Sequence, residues 1–269
     1  RALKLACYLD SDSIEARRAE DVEDGVAARK VLTRAESQAQ TRQELLDAAE
    51  QQFYANGYHA TSLAAIAAEA GRTIGAVYSN FEGKEALCLE VIRNRSMAEL
   101  NQLLGPLVAA GVSTDDRLAA LASWWARIGA EPNLVVLTAE YVTSTFHDPE
   151  QLGKAREALE RFKESTRVLL EDAVPEGVPA DHPLMDDAIE VAVATGAGIA
   201  MAQALGTIDA ERGASLMVAN MRLWFDALVV ADLARALSGS FEGPAVLVHV
   251  ARDSGRSNAF QTALKFVAP

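Results

Sequence analysis

Cysteine is scarce in this chain: Cys7 and Cys88 are the only two in 269 residues, and they lie far apart. They make neither a disulfide framework nor a paired metal-binding spacing, so a reducing cytoplasm is the expected compartment. Cys88, on a helical stretch, reads as a small core residue. Histidine is nearly as rare. His59, His147, His182 and His249 stand at no ligand spacing from carboxylates or cysteines, so no metal site is expected. Aromatics make up 6% and there are 8 prolines, which suits a helix-rich soluble protein. Positive charge is in deficit. Against 38 acids stand 25 Lys and Arg, a net charge of −13, which excludes bulk attraction to nucleic acid. The apolar run ALKLACYL near the start is too short to span a bilayer, and no small-residue cleavage pattern follows it. No membrane partner is expected.

Signatures of catalysis are missing too. There is no Gly-x-Ser-x-Gly and no phosphate loop. The stretch VAVATGAGIAMA (191–202) offers Gly196-x-Gly198 after an apolar run, but Met201 stands at the third glycine position, too bulky for a dinucleotide turn. Its flanks read as helix. The sequence therefore predicts no catalytic residue, no cofactor and no enzyme.

What is present centres on residues 61–84, TSLAAIAAEAGRTIGAVYSNFEGK. Ser62 can cap a helix. Leu63, Ile66, Ala67 and Ala70 follow as one apolar face, and Gly71 ends it. Thr73 can cap a second helix whose Val77 and Phe81 face inward. This is a helix-turn-helix pattern, with the second helix suited to a DNA major groove. Its outward positions carry Ile74, Gly75, Ala76, Tyr78, Ser79 and Asn80. Gly and Ala allow close backbone approach, hydroxyls and amides can bond phosphates and base edges, and apolar groups can touch a thymine methyl. Lys84 then opens a third helix, well placed for a phosphate. The spacing alone also fits an ordinary helical hairpin with Tyr78 half buried. Between 42 and 95, five Lys and Arg face seven acids. Affinity for DNA would have to come from placement, with low non-specific binding as a consequence.

Residues 41–87, TRQELLDAAEQQFYANGYHATSLAAIAAEAGRTIGAVYSNFEGKEAL, resemble the DNA-binding domain of TetR-type transcriptional regulators. The matching elements are Arg42, Leu45-Leu46, Ala48-Ala49, Phe53, Gly57-Tyr58, Thr61-Ser62, Ile66-Ala67, Ala70-Gly71, Gly75, Tyr78, Phe81, Lys84 and Leu87. Two positions depart from the pattern. Gln52 stands where an apolar residue is more common, and Arg72 where a small one often packs. Arg72 is read as turned outward and available to DNA. The resemblance implies phosphate contacts from Tyr78 and Lys84, and the residues themselves add Ser62, Arg72, Thr73, Ile74, Gly75, Ala76, Ser79 and Asn80 as expected DNA contacts.

The remaining chain reads as helices throughout. Thr41-x-x-Glu44 is a capping box for the first helix of the domain, and Gly57 stops it. A longer helix runs from Lys84 to about Leu104, ended by Gly105-Pro106. Ser113 caps the next, Pro132 sits in the first turn of another, and Asp148-Pro149 opens a fourth. Asp181 with Pro183 starts a helix to about Leu205, and Asp209 caps a last one to about Leu237. The expected organisation is an extension at 1–36, disordered or weakly helical, the helix-turn-helix domain at 37–83, a helical ligand-binding and dimerisation domain at 84–238, and a tail at 239–269. In the resembling family the middle helices surround a ligand cavity and the last two pair with their copies. Trp124, Trp125, Ile128, Tyr141, Phe146 and Phe162 would then line an apolar pocket, although aromatics on buried helix faces also serve as plain core. Ala188, Ala192, Thr195, Gly196 and Ile199 on one helix, and Leu216, Asn220, Leu223, Trp224, Ala227 and Val230 on the other, would form the dimer face.

The expectation is an all-α protein and a homodimeric regulator, a repressor released from a palindromic double-stranded DNA operator by a small hydrophobic molecule. The competing class is a helical protein-interaction module without a DNA role.

Overall fold

The computed structural model describes residues 33–110, 113–129, 131–171, 182 and 184–239, and every described element is a helix. In chain order these are α1 (Arg34–Ala60), α2 (Leu63–Glu69), α3 (Ile74–Asn80), α4 (Lys84–Ala109), α5 (Thr114–Gly129), α6 (Asn133–Thr145), α7 (Pro149–Glu171), α8 (Met185–Ala204) and α9 (Ala210–Gly239). Most of the expected extension, the whole tail from 240, and Asp181 and Pro183 lie outside the described residues.

The helix ends follow local chemistry. Ser62 Oγ accepts from Ala65 N at 3.1 Å and Thr73 Oγ1 from Ala76 N at 3.2 Å, so both short helices carry side-chain caps. Ser113, Asp148 and Asp209 likewise receive backbone N–H groups of α5, α7 and α9. Two boundaries differ from the sequence expectation. The first helix opens at Thr33, in a reciprocal capping box with Glu36, and not at Thr41. Both threonines have a glutamate three residues on. Thr41 instead lies inside α1 and returns its hydroxyl to Ser37 O at 2.9 Å. The second difference is Pro106, which does not end α4. The helix continues to Ala109, and Ala110 N still bonds Pro106 O at 2.9 Å. A proline removes one ladder bond, tolerable here because only a turn of helix follows. Gly57 does interrupt α1, with φ 78° and ψ 168° inside an otherwise helical run.

Three apolar clusters hold the helices together. The first joins α1, α2 and α3 to the first turns of α4 and to Leu137 and Tyr141 of α6, with Leu45, Phe53, Ile66, Val77 and Leu87 at its centre. Fully burying each such side chain contributes about 1.5–3 kcal/mol. The helix-turn-helix unit therefore shares its core with helices from beyond residue 83. The second cluster packs α5 against α8 and α9 through Trp125, Ile189, Ala192, Met217, Met221 and Phe225. The third lies between α4, α5 and α7 and includes Leu100, Leu103, Leu169, Trp124 and Phe162. Cys88 is fully buried in the first cluster, and burial pushes its thiol well above the ordinary range.

The small residues of α8 serve the protomer's own core. Ala188, Ala192, Gly196 and Ile199 are all buried, so the expected dimer face on this helix is corrected. A Cβ on Gly196 would stand 3.0 Å from Trp125 Cη2 and 3.2 Å from Met217 Cε, so glycine there admits the indole. On α9 the two faces divide cleanly. Met217, Met221, Phe225 and Leu228 point into the second cluster, while Leu223, Val229, Val230 and Leu233 are exposed. This double apolar character makes Ala210–Leu233 long and apolar enough, by composition, to cross a membrane.

The close seating of Trp125 yields a direct test. Gly196→Val should lower the unfolding free energy by about 1–3 kcal/mol by overpacking the α5–α8–α9 core, measured by urea denaturation. An unchanged midpoint would show that Trp125 has room to move.

Candidate nucleic-acid interface

Residues 62–84 form the expected pair of short helices, and α3 leaves one face open. Val77 and Phe81 are buried, whereas Ile74, Tyr78 and Ser79 are exposed, Tyr78 to 64%. Gly75 is exposed and Ala76 half-buried. Of the polar side chains named from sequence, Ser62 and Thr73 spend one acceptor lone pair on their caps. Ser79 Oγ and Asn80 Nδ2 donate to Ala76 O at 3.0 and 2.8 Å. Asn80 Oδ1 has no protein partner. The face thus offers small and apolar groups around an exposed phenol, with hydroxyls already anchored to the backbone.

The two basic residues named from sequence are both tethered. Arg72 is outward, as expected, but donates from Nε and Nη2 to Glu44 Oε2 at 2.8 and 2.5 Å. That pairing holds the Glu44 carboxyl below its usual range. Lys84 donates to His59 O at 3.2 Å, and its Nζ sits 4.5 Å from the centroid of the Tyr58 ring. An ammonium has three donors, so Lys84 keeps N–H groups for a further acceptor.

The acids of this region are largely neutralised in place. Glu44 pairs with Arg72, Glu50 with Arg95, Glu82 with Lys154 and Glu90 with Arg42. Arg42 also lies 4.6 Å from the centre of the Phe81 ring, so one guanidinium ties α1 to both the end of α3 and α4. Its bond to Glu90 raises the Arg42 pKa further. Gln52, the other departure from the family pattern, is used at the surface: its amide reaches Glu69 at 3.3 Å on α2. Arg42 was legible only as a motif residue, and Lys154, at 72 positions from Glu82, carried no signal in local pattern.

The six pocket candidates do not share one cavity. Trp124 and Phe162 both pack against the third cluster; Trp124 also borders the second, with its ring 5.7 Å from that of Trp125, and its Nε1 donates to Glu99 O at 2.8 Å. Trp125 belongs to the second cluster, and its Nε1 is buried without a partner. Tyr141 is 1% exposed in the first cluster, where burial pushes its hydroxyl up to about 12. Phe146 is 60% exposed. Ile128 borders a cleft of about 40 Å³ with Tyr54, Arg95, Glu99 and Arg127, room for a few waters. Among the described residues no group of acids, histidines and cysteines is arranged to hold a metal.

With this geometry in place, known proteins supply a context. Residues 45–91, from α1 into α4, match the family model described as bacterial regulatory proteins, tetR family. No curated protein matches the chain. Among solved structures, the fatty acid degradation regulator FadR from Bacillus halodurans is similar at 18% identity and a TM-score of 0.53. That match covers 68% of this chain and 97% of the other. A protein assigned to the TetR family from Mesorhizobium loti MAFF303099 is similar at 20% identity and a TM-score of 0.51, covering 74% and 98%. A transcriptional regulator from Rhodococcus sp. Rha1 gives 18%, a TM-score of 0.50, and 69% and 96% coverage. At these identities the structures speak to the fold, and the sequence model speaks to the helix-turn-helix. Residues 45–91 thus carry the helix-turn-helix sequence of the bacterial regulatory proteins of the tetR family, on the first four helices of a chain whose described residues form only helices.

Proposed function

We propose that this DNA-binding regulator is a homodimeric repressor that a small hydrophobic molecule releases from a palindromic operator. The observation that carries the DNA-reading part is the open face of α3, with Ile74, Gly75, Tyr78 and Ser79 exposed on a helix pinned from behind by Val77, Phe81 and Arg42. Ile74, Gly75 and Ala76 enter the groove in this reading. Tyr78 and Ser79 reach phosphates, and Lys84 adds one more phosphate contact through its remaining donors. Arg72 exchanges Glu44 for DNA, or stays paired and only shapes the turn. Because Glu44, Glu50, Glu82 and Glu90 are paired with cations, part of the negative charge of this region is offset locally.

The dimer is proposed on the outer side of α9, where Leu223, Val229, Val230 and Leu233 form an exposed apolar stripe, with Val191 of α8 exposed as well. Two copies would bring their α3 helices to half-sites about one helical turn apart. The ligand is proposed to open the third cluster between α4, α5 and α7, beside Trp124 and Phe162. The structurally similar FadR is a fatty acid degradation regulator by its description, which favours an apolar ligand class here. Such a ligand needs only a few kcal/mol of differential affinity between two conformations to release DNA.

Selection of bound duplexes from a random pool tests this reading, followed by competition with hydrophobic ligands. Wild type should enrich an inverted repeat. Ala76→Glu should abolish binding to that duplex with fold and dimer intact, and Lys84→Ala should reduce the log–log salt slope by about one. Enrichment of no sequence sinks the proposal. The interface has its own check: Leu223→Glu with Val230→Glu should give a folded monomer in sedimentation, whereas Ala192→Glu, in the protomer core, should unfold the chain. A monomeric wild type at micromolar concentration would reject the dimer.

A further inference from the structure

The helix-turn-helix unit is gripped at its two ends by helices outside it. At the entry, Gly57 turns the chain at φ 78° and breaks the ladder of α1. The N–H of Tyr58 then points to a side chain from another element: Glu140 of α6, whose Oε2 accepts it at 2.5 Å. A Cβ on residue 57 would stand 3.0 Å from that oxygen, so the carboxylate lies directly on the glycine. The Tyr58 ring is buried beneath this contact. It meets Tyr141, the residue after Glu140, edge-on at 6.0 Å, and its hydroxyl donates to Glu85 at 3.1 Å. At the exit, Glu82 lies between α3 and α4. Lys154 of α7 reaches it at 3.1 Å and is steadied by Glu150 of its own helix at 3.0 Å. Ala155, next to Lys154, packs against the first cluster.

The helices α6 and α7 are consecutive and pack on each other. They are joined by a tight turn in which Asp148 N bonds Thr145 O at 3.0 Å and Asp148 caps α7. Neither Glu140 nor Lys154 belongs to α4, the helix that links the two parts of the chain covalently.

We propose that the α6–α7 hairpin clamps the helix-turn-helix at both ends, Glu140 at Tyr58 and Lys154 at Glu82, and thereby transmits its own position to α3. The inference rests on the ligand-responsive reading above and names the residues through which the response travels. Glu140 and Lys154 are positioning residues. The arms are unequal. Glu140 is half-buried and makes a charge-assisted bond to backbone, while the Glu82 side chain is 81% exposed and screened by solvent.

Amide hydrogen exchange on the full chain tests the clamp, with Glu140→Ala, Glu140→Gln and Lys154→Ala compared with wild type. Glu140→Ala should accelerate exchange in residues 58–82 by about tenfold or more, leaving α8 and α9 unchanged. Glu140→Gln, which keeps an acceptor oxygen, should do so less and covers the case in which the alanine variant does not fold. Lys154→Ala should give a smaller acceleration in the same segment. Affinity for the duplex that wild type selects should fall in step with the exchange. No acceleration, acceleration spread evenly over all helices, or confined acceleration with duplex binding unchanged would each overturn the proposal. If wild type selects no duplex, the regulatory reading fails while the exchange experiment still decides whether the clamp holds.

Discussion

The structure depends on one shared apolar core. The helix-turn-helix does not close a core of its own: α2 and α3 are seven residues each, too short to bury much surface by themselves. Ile66, Ala67, Val77 and Phe81 are buried in one cluster with Leu45, Ala49 and Phe53 of α1, Leu87 and Val91 of α4, and Leu137 and Tyr141 of α6. That arrangement fixes the open face of α3. It also places α3 in one cluster with side chains from α1, α4 and α6. The helix-turn-helix and the helices beyond residue 83 are therefore joined mechanically by packing.

Electrostatics refine this frame. A chain of net charge −13 cannot approach DNA by bulk attraction. The region solves part of that problem by pairing acids with partners drawn from several helices: Arg42 for Glu90, Arg72 for Glu44, Arg95 for Glu50, Lys154 for Glu82. Exposed pairs of this kind contribute little to stability, about 0–1 kcal/mol each. Their value lies in orientation and in offsetting negative charge near the exposed face of α3. The Arg42 pair is the better placed one, since the same guanidinium stacks on Phe81 at the end of α3.

Much of the fold was legible in the sequence where the signal was local. Caps at Ser62, Thr73, Ser113, Asp148 and Asp209 act on N–H groups within three residues, so residue type and spacing were enough. Thr33 was missed because Thr41 bears the same pattern, a glutamate three residues on. The division of α8 and α9 into inner and outer faces was half legible. Small residues on α8 suggested a close approach between subunits, but the approaching group is Trp125 of the same chain against Gly196. The pocket candidates were chosen as aromatics on helix faces, and that criterion carries no information about which helices those faces meet. Tyr141 accordingly falls in the first cluster, Trp125 in the second, and Trp124 between the second and third, edge-on to Trp125. Contacts such as Glu140 to Tyr58, 82 positions apart, lie beyond any local rule.

The central claim is that α3, held by the shared core, is the surface that reads DNA. Hydroxyl-radical footprinting on a duplex selected by the wild-type protein tests it most directly. The account predicts two protected patches related by a two-fold axis, centred about one helical turn apart, both lost when Ile74 is replaced by Asp. Absence of protection, or a footprint that Ile74→Asp leaves intact, would contradict it.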